Sequence, residues 1–102
     1  MMWRRVHVGA GVQVEMFDYS ESCSAALKWD LPAEDHGMAA SEYEVETRVY
    51  GGPIHSVRSS KRTMGAVDHL PKATRFLVRV RARNQVGWSE YGEALSFWSC
   101  ST

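Results

Sequence analysis

Three arginines at every second position, Arg79, Arg81 and Arg83, have the residue type and spacing best suited to chemistry in this chain. In an extended strand, residues two positions apart point to the same side, so the spacing predicts one face lined with guanidinium groups. Such groups pair with carboxylates, bind phosphates and stack on aromatic rings. The row therefore indicates either a binding surface or a charge ladder on an exposed sheet.

Other patterns that could support catalysis or metal binding are weak. No histidine stands two or four positions from another His or Cys, so a metal site is not expected. No serine lies in a nucleophile-elbow pattern. Asp30, Glu34 and Asp35 cluster without the spacing of a calcium loop and are interpreted as a solvated turn. The histidines considered for a metal site are His7, His36, His55 and His69. We predict no enzyme and no cofactor.

The charge balance restricts the classes of partner. Twelve basic and twelve acidic side chains cancel, which removes any broad attraction to nucleic acid or to an anionic membrane. No apolar run reaches the ~20 residues of a membrane span, and none of signal-peptide length follows the basic start. We predict no nucleic-acid partner and no direct membrane insertion. The lack of a glycosylation sequon leans slightly toward an intracellular setting and leaves an extracellular one open.

The two cysteines, Cys23 and Cys100, are too few for a disulfide scaffold. They could form one bridge or remain two thiols. A domain of 102 residues can bury a core without such a staple, which favours free thiols.

Apolar residues alternate with polar ones in short runs separated by turn residues, a pattern typical of a β-sandwich. In the sixth run, Phe76, Val78 and Val80 face one way and the arginine row faces the other. Seven strands in a chain of this length fit one sandwich domain. The predicted strands are 6–16, 25–29, 43–49, 54–59, 63–70, 76–83 and 95–98, with a polar turn at 17–22.

Four segments carry a resemblance to a known family. Trp29 lies in Leu-Lys-Trp-Asp-Leu-Pro, and Tyr43 in Ser-Glu-Tyr-Glu-Val-Glu. Residues 70–76 read Leu-Pro-Lys-Ala-Thr-Arg-Phe, and residues 78–89 read Val-Arg-Val-Arg-Ala-Arg-Asn-Gln-Val-Gly-Trp-Ser. In this order and spacing they resemble a fibronectin type III domain over nearly the whole chain.

The resemblance implies an all-β fold, a seven-stranded antiparallel β-sandwich of immunoglobulin-like topology. Residues 11–100 would form the domain, and residues 1–10 an N-terminal extension or the start of the first strand. The family's corner before the sixth strand usually ends in a tyrosine whose hydroxyl bonds back to the backbone, whereas Phe76 stands here. We expect a looser corner that lacks a bond worth about 1 kcal/mol. The implied core landmarks are Trp29, Tyr43, Leu70, Phe76, Val78 and Val80.

The resemblance also places the sixth strand beside the third, so that glutamates of the third strand share the outer face with the arginine row. The segment 88–92, Trp-Ser-Glu-Tyr-Gly, partly resembles the tryptophan-serine box of cytokine-receptor domains, in which the ring stacks between arginines. We therefore expect Trp88 to fold over Arg79 and Arg81, with Trp98 near the row. Such stacking would mainly stabilise the fold.

The leading hypothesis is a non-catalytic protein-interaction or spacer module in a longer multidomain protein. One alternative is a ligand-binding module of a cell-surface receptor. Another is a homotypic assembly module that pairs through edge strands or the N-terminal segment, giving a homo-oligomer. A protein partner is expected, and a nucleic-acid partner would need unpaired arginines. The candidate partner face comprises Glu44, Glu46, Arg79, Arg81, Arg83, Trp88, Tyr91 and Trp98.

Overall fold

The computed structural model describes residues 11–30 and 40–101, in which seven strands form two antiparallel sheets. One sheet has the strand order β1-β2-β5 and the other β4-β3-β6-β7. This confirms the predicted all-β sandwich. The predictions for residues 1–10, and those for Glu34, Asp35 and His36, lie outside the described residues. The strands are β1 (Gln13–Asp18), β2 (Cys23–Lys28), β3 (Glu42–Val49), β4 (Ile54–Ser60), β5 (Met64–Leu70), β6 (Arg75–Arg83) and β7 (Leu95–Trp98).

The first two strands begin and end at residues other than those predicted. β1 continues through Phe17 and Asp18, which pair with Ser24 and Cys23 of β2. The turn is therefore confined to residues 19–22, and the prediction of a turn from residue 17 was wrong. Polar side chains at the end of an edge strand do not stop backbone pairing, because they can point to solvent while the amides pair.

Alternate residues of the two sheets meet in a single buried core. Trp29 is only 2% exposed and meets the ring of Tyr43 edge to face, with 5.6 Å between centroids. Burying a large apolar side chain stabilises a fold by roughly 1.5–3 kcal/mol, so this layer supplies much of the stability. All six implied landmarks are buried. The core comprises Val12, Cys23, Ala25, Leu27, Trp29, Tyr43, Val45, Val67, Leu70, Phe76, Val78, Val80 and Ala82.

The corner before β6 is held by hydrogen bonds that the sequence did not suggest. Phe76 is fully buried and stacks on Phe97, so it contributes packing where the family's tyrosine also contributes a hydroxyl. The hydroxyl of Ser99 donates to the carbonyl oxygen of Pro71 at 2.6 Å and accepts from the amide of Thr74 at 3.0 Å. The corner that was expected to be loose is thus tied to the segment after β7.

Candidate functional site: an arginine-aromatic ladder

The register between β3 and β6 sets three glutamates directly opposite three arginines. Residues opposite one another in an antiparallel pair project to the same face, so the six side chains share the outer face of the four-stranded sheet. This is the neighbour relation that the resemblance implied. The opposed pairs are Glu42 with Arg83, Glu44 with Arg81, and Glu46 with Arg79.

Of these three ion pairs, the one between Glu46 and Arg79 has the best hydrogen-bond geometry. Arg79 donates two hydrogen bonds to Glu46, from Nε to Oε1 at 2.9 Å and from Nη2 to Oε2 at 3.1 Å. Arg48 approaches the same carboxylate at 3.0 Å. The Glu46 side chain is only 7% exposed, yet the hydrogen bonds from Arg79 outweigh burial and hold its pKa below the ordinary range. Glu46 therefore stays ionised and anchors two guanidinium groups.

The pairing weakens toward the end of β6. Arg81 reaches Oε1 of Glu44 with Nε at 2.9 Å and Nη2 at 2.8 Å. Arg83 reaches Glu42 only at 3.5 Å, and its side chain is 54% exposed. Exposed ion pairs contribute about 0–1 kcal/mol, so this last pair contributes little to stability and leaves its guanidinium open to solvent.

The turn after β6 brings the chain back beside the arginine row. The side-chain oxygen of Asn84 accepts hydrogen bonds from the amides of Val86 at 2.8 Å and Gly87 at 3.3 Å. Gly87 has a φ of 140°, a backbone conformation that strongly favours glycine. The turn ends with Trp88 bridged to Arg83 through the backbone.

Residues 88–92, which we call the returning segment, then pair their backbone with β6 before β7 begins. The amide of Ser89 donates to the carbonyl of Ala82 at 2.7 Å, and the amide of Gly92 donates to Val80 at 2.8 Å. The hydroxyl of Ser89, a buried residue, also accepts from the amide of Ala82 at 3.0 Å. The Trp-Ser-Glu-Tyr-Gly pattern therefore attaches this segment to the sheet through Ser89 and Gly92.

The two aromatic rings of this segment stack between the arginines. The ring of Trp88 lies 4.6 Å from Cζ of Arg81 and 5.9 Å from that of Arg83. The ring of Tyr91 lies 4.0 Å from Cζ of Arg79 and 5.0 Å from that of Arg81. We call the alternating stack of Arg83, Trp88, Arg81, Tyr91 and Arg79, together with the glutamates opposite, the ladder.

The expectation that Trp88 covers Arg79 was therefore wrong, because Tyr91 takes that place. The returning segment runs antiparallel to β6, so its earlier ring meets the later arginines and its later ring meets the earlier ones. Tyr91 was among the candidate residues without an assigned contact. The antiparallel direction of a return after a tight turn is the signal that could have assigned it.

Tyr91 also ties the returning segment to β3. Its hydroxyl donates to Oε1 of Glu44 at 2.5 Å. Burial, and then the hydrogen bond to the ionised carboxylate of Glu44, raise the pKa of Tyr91 to about 12. One carboxylate thus holds both a guanidinium and a phenol, and three segments of the chain are joined at the ladder.

Trp98 lies outside the ladder. It is paired with Arg75, at the opposite end of β6 from Arg83, and is 64% exposed. The guanidinium of Arg75 stacks on Tyr50, 3.8 Å from the ring centroid, and donates to the hydroxyl of Ser96 at 3.2 Å. Tyr50 is a further exposed aromatic that the alternating pattern did not indicate, because it follows β3 in a turn.

The chemistry available at the ladder is binding and stacking. Each arginine of the ladder faces a carboxylate, so the charges are largely compensated within the domain. Residues 11–30 and 40–101 hold no group of three His, Cys, Asp or Glu side chains placed to bind a metal ion. In the same part of the chain, no helix is long and apolar enough to cross a membrane.

The other sheet carries a concave surface that the sequence did not indicate. An open depression of about 690 Å³ is lined by residues of β1, β2 and β5. Ala26 and Ala66, which oppose each other in the β2–β5 pair, are among the residues that line it.

Comparison with known proteins assigns the chain to a family. The family model of the fibronectin type III domain matches residues 12–98. The titin homolog of Caenorhabditis elegans is 32% identical over 77 residues, which cover 72% of this chain and a share of that relative that rounds to 0%. The chain thus spans a very small part of the curated relative it matches.

Solved structures agree on the fold. The twitchin kinase region from Caenorhabditis elegans superposes with a TM-score of 0.77 at 22% identity, covering 95% of this chain and 17% of that one. The sixth fibronectin type III domain of human fibronectin type III domain containing protein 3 gives 0.74 at 18% identity, covering 100% and 90%. Identities this low show the fold alone, and the match to the family model adds the family. The chain therefore belongs to the fibronectin type III family.

Proposed function

We propose that this fibronectin type III module binds a protein partner on the outer face of its four-stranded sheet, within a longer chain. The observation that carries the proposal is the ladder, which fixes three arginines and two aromatic rings in place through contacts inside the domain. Arg, Trp and Tyr are the residue types that dominate the energetics of protein interfaces.

Preorganisation is the physical reason why such a face suits binding. An interface side chain that must be ordered on association costs about 0.5–1.5 kcal/mol, and stacking has already ordered these side chains. The ladder is still accessible, because the side chains of Arg79 and Arg83 are 38% and 54% exposed. A partner can therefore contact the ladder without breaking the ion pairs beneath it.

Two exposed aromatic residues extend the face beyond the ladder. Trp98 is 64% exposed and Tyr50 is 50% exposed, and the two flank Arg75 at the other end of β6. Exposed large aromatics beside an ordered polar surface match the mixture of anchors and polar groups found at protein interfaces. The compensated charges favour a protein surface of mixed charge over a polyanion.

Site-specific photo-crosslinking in the longer parent chain tests this assignment. A photo-reactive phenylalanine analogue replaces Ser59, which is exposed and stands opposite Glu44 on the outer face. The matched control carries the analogue at Ala66, an exposed position on the other sheet. We expect position 59 to crosslink a partner protein and position 66 to give none.

A double variant tests whether the crosslink from position 59 depends on the side chains of the proposed face. Arg83→Ser combined with Trp98→Ser removes exposed side chains at both ends of β6 and should leave the fold intact. We expect this double variant to abolish the crosslink from position 59. A crosslink that forms only from position 66, or one that survives the double substitution, contradicts the proposed face.

A homotypic module is the second candidate, and β4 is the observation that favours it. This edge strand exposes Ile54 and Val57, which are 51% and 50% exposed. Exposed apolar residues on an edge strand promote pairing with another chain. Light scattering should then detect a dimer that Val57→Lys abolishes, whereas a strict monomer at high concentration eliminates this candidate. The receptor alternative stays a hypothesis, since the Trp-Ser pattern that motivated it holds the returning segment to β6.

A further inference from the structure

The two cysteines lie side by side although 77 positions separate them. Cys23 opens β2 in the three-stranded sheet, and Cys100 stands two residues beyond the end of β7. The backbone amide of Cys100 donates to Sγ of Cys23 at 3.3 Å. Sγ of Cys100 in turn lies 3.7 Å from the carbonyl oxygen of Phe17, which is also at the end of β1 that pairs with Cys23. Cys23 and Cys100 therefore meet near the end of β1 that pairs with Cys23.

The backbone on both sides of this region is fixed by hydrogen bonds. Cys23 is fully buried and pairs with Asp18 on one side and Leu70 on the other. The carbonyl oxygen of Cys100 accepts from the amide of Ala73 at 2.7 Å. Because the backbone amide of Cys100 already contacts Sγ of Cys23, we expect a bond between the sulfurs to require mainly rotation of the Cys100 side chain.

We propose that Cys23 and Cys100 form a redox-active pair that oxidises to an intramolecular disulfide, which joins β2 to the segment after β7. Both cysteines are free thiols in the structure, which represents the reduced state. The oxidised state would link the three-stranded sheet covalently to the chain that leaves the four-stranded sheet. This assigns a modification site outside the proposed partner face.

The solvent exposure of the two thiols determines which of them reacts first with an oxidant. Cys100 is partly exposed, so its thiolate attacks a small disulfide such as oxidised glutathione, forms a mixed disulfide and releases one glutathione thiolate. Cys23, which is fully buried, then attacks Sγ of Cys100, its proton passes to the departing sulfur, and the second glutathione leaves as a thiol. In total, two protein thiols are oxidised and one glutathione disulfide is reduced to two thiols.

The bond would restrict most of the chain. Closing a loop of about this length removes a large part of the freedom of the unfolded chain, so the oxidised protein should be more stable than the reduced one. For a domain of this size we expect a rise in the melting temperature of roughly 10 °C or more. The two oxidation states would thus differ in stability while sharing one fold.

The test exposes the reduced full chain to a series of glutathione redox buffers and measures its intact mass. We expect the loss of two hydrogen masses, a tryptic peptide pair that joins the segments of Cys23 and Cys100, and the rise in melting temperature. The reaction should be first-order in protein, because it is intramolecular. Reduction with dithiothreitol should reverse all three changes.

Cys100→Ser is the decisive variant, since it alters a partly exposed position and should fold. It should take up no glutathione in the native state, because Cys23 alone is buried, and its melting temperature should not respond to the redox buffer. A second variant, Cys23→Ala, should accumulate the mixed disulfide at Cys100. A wild-type protein that stops at one bound glutathione, forms only intermolecular dimers, or stays reduced in an oxidising buffer contradicts the proposal.

Discussion

Ser99 and Pro71, 28 positions apart, are joined by a hydrogen bond of 2.6 Å from the serine hydroxyl to the proline carbonyl oxygen. The same hydroxyl accepts from the amide of Thr74 at 3.0 Å. One side chain thus joins the last described segment of the chain to the corner that precedes β6. Because Ser99 is only 6% exposed, water cannot easily replace these bonds.

Ser99→Ala should therefore destabilise the domain by about 1 kcal/mol, since it removes two part-buried hydrogen bonds from the corner. Urea melts of the two proteins measure the difference. Ser101→Ala, at an exposed position, is the matched control and should stay within about 0.5 kcal/mol of the parent. A Ser99→Ala variant as stable as the control would show that the corner is held by other contacts.

Ala73, in the same corner, adopts a left-handed backbone conformation with a φ of 51°. This conformation costs an L-residue about 1–2 kcal/mol, whereas glycine adopts it without a steric penalty. Ala73→Gly should therefore stabilise the domain by about 0.5 kcal/mol, after the entropic cost of glycine is subtracted. Ala66→Gly, in the regular strand β5, should destabilise it, and equal effects of the two changes in urea melts would contradict the argument.

The alternation of apolar and polar residues along each strand predicted which side chains face the core and which face solvent. The inward and outward residues of β6 follow from a period of two, and the pairing of the arginines with glutamates of β3 followed from the family resemblance. The exact contacts of Trp88 and Tyr91 could not be predicted in the same way. They depend on the direction and offset of a segment that returns after the turn 84–87, and no periodicity encodes that offset.

Contacts between segments distant in sequence also could not be predicted from the alternation of residue types. Ser99 is one of many serines, and nothing in its neighbourhood marks it as the residue that holds the corner. The adjacency of Cys23 and Cys100 depends on how the two sheets stack at one end, which the spacing of two cysteines does not determine. The depression on the other sheet is lined in part by Ala26 and Ala66, which face each other across two strands.

Trp29→Ala should destabilise the domain by roughly 3–5 kcal/mol, because it removes a buried ring and leaves a cavity against Tyr43. Trp98→Ala removes the same side chain from a position that is 64% exposed and should cost less than about 1 kcal/mol. Guanidinium melts of both variants measure the contrast. A loss under 1 kcal/mol for Trp29→Ala would mean that this ring is not part of the core.

The carboxylate of Glu46 should make the domain sensitive to acid. Its hydrogen bonds to Arg79 lower its pKa, so it contributes stability above the pKa of the unfolded chain, about 4.3, and loses that contribution as the pH falls through the folded value. Glu46→Gln should cost about 1–2 kcal/mol at pH 7. It should also lose less stability than the parent as the pH falls below about 5.

Urea melts across this pH range measure the effect. Glu21→Gln, in the exposed turn 19–22, is the control for the loss of one carboxylate. Its curve should run parallel to that of the parent. Parallel curves for Glu46→Gln as well would show that Glu46 is not held ionised by its arginine partners.

Tyr91 should be detectable by its late ionisation. Burial and the bond to Glu44 raise its pKa to about 12, above the value of about 10 for tyrosine in an unfolded chain. A group with a raised folded pKa contributes stability that is fully present below the unfolded value and is lost as the pH rises through the folded value. The domain should therefore lose stability between about pH 10 and pH 12.

Tyr91→Phe isolates this contribution, because it keeps the ring that stacks on Arg79 and removes only the hydroxyl. The difference in phenolate absorbance between parent and variant should titrate near pH 12, and urea melts should converge as the pH rises from 10. Tyr91→Leu, which also removes the stacking, should be less stable than Tyr91→Phe at every pH, since a cation-π contact contributes about 0.5–1 kcal/mol at an exposed site. A difference titration centred near pH 10 would place the hydroxyl in solvent and break the link between the ladder and β3.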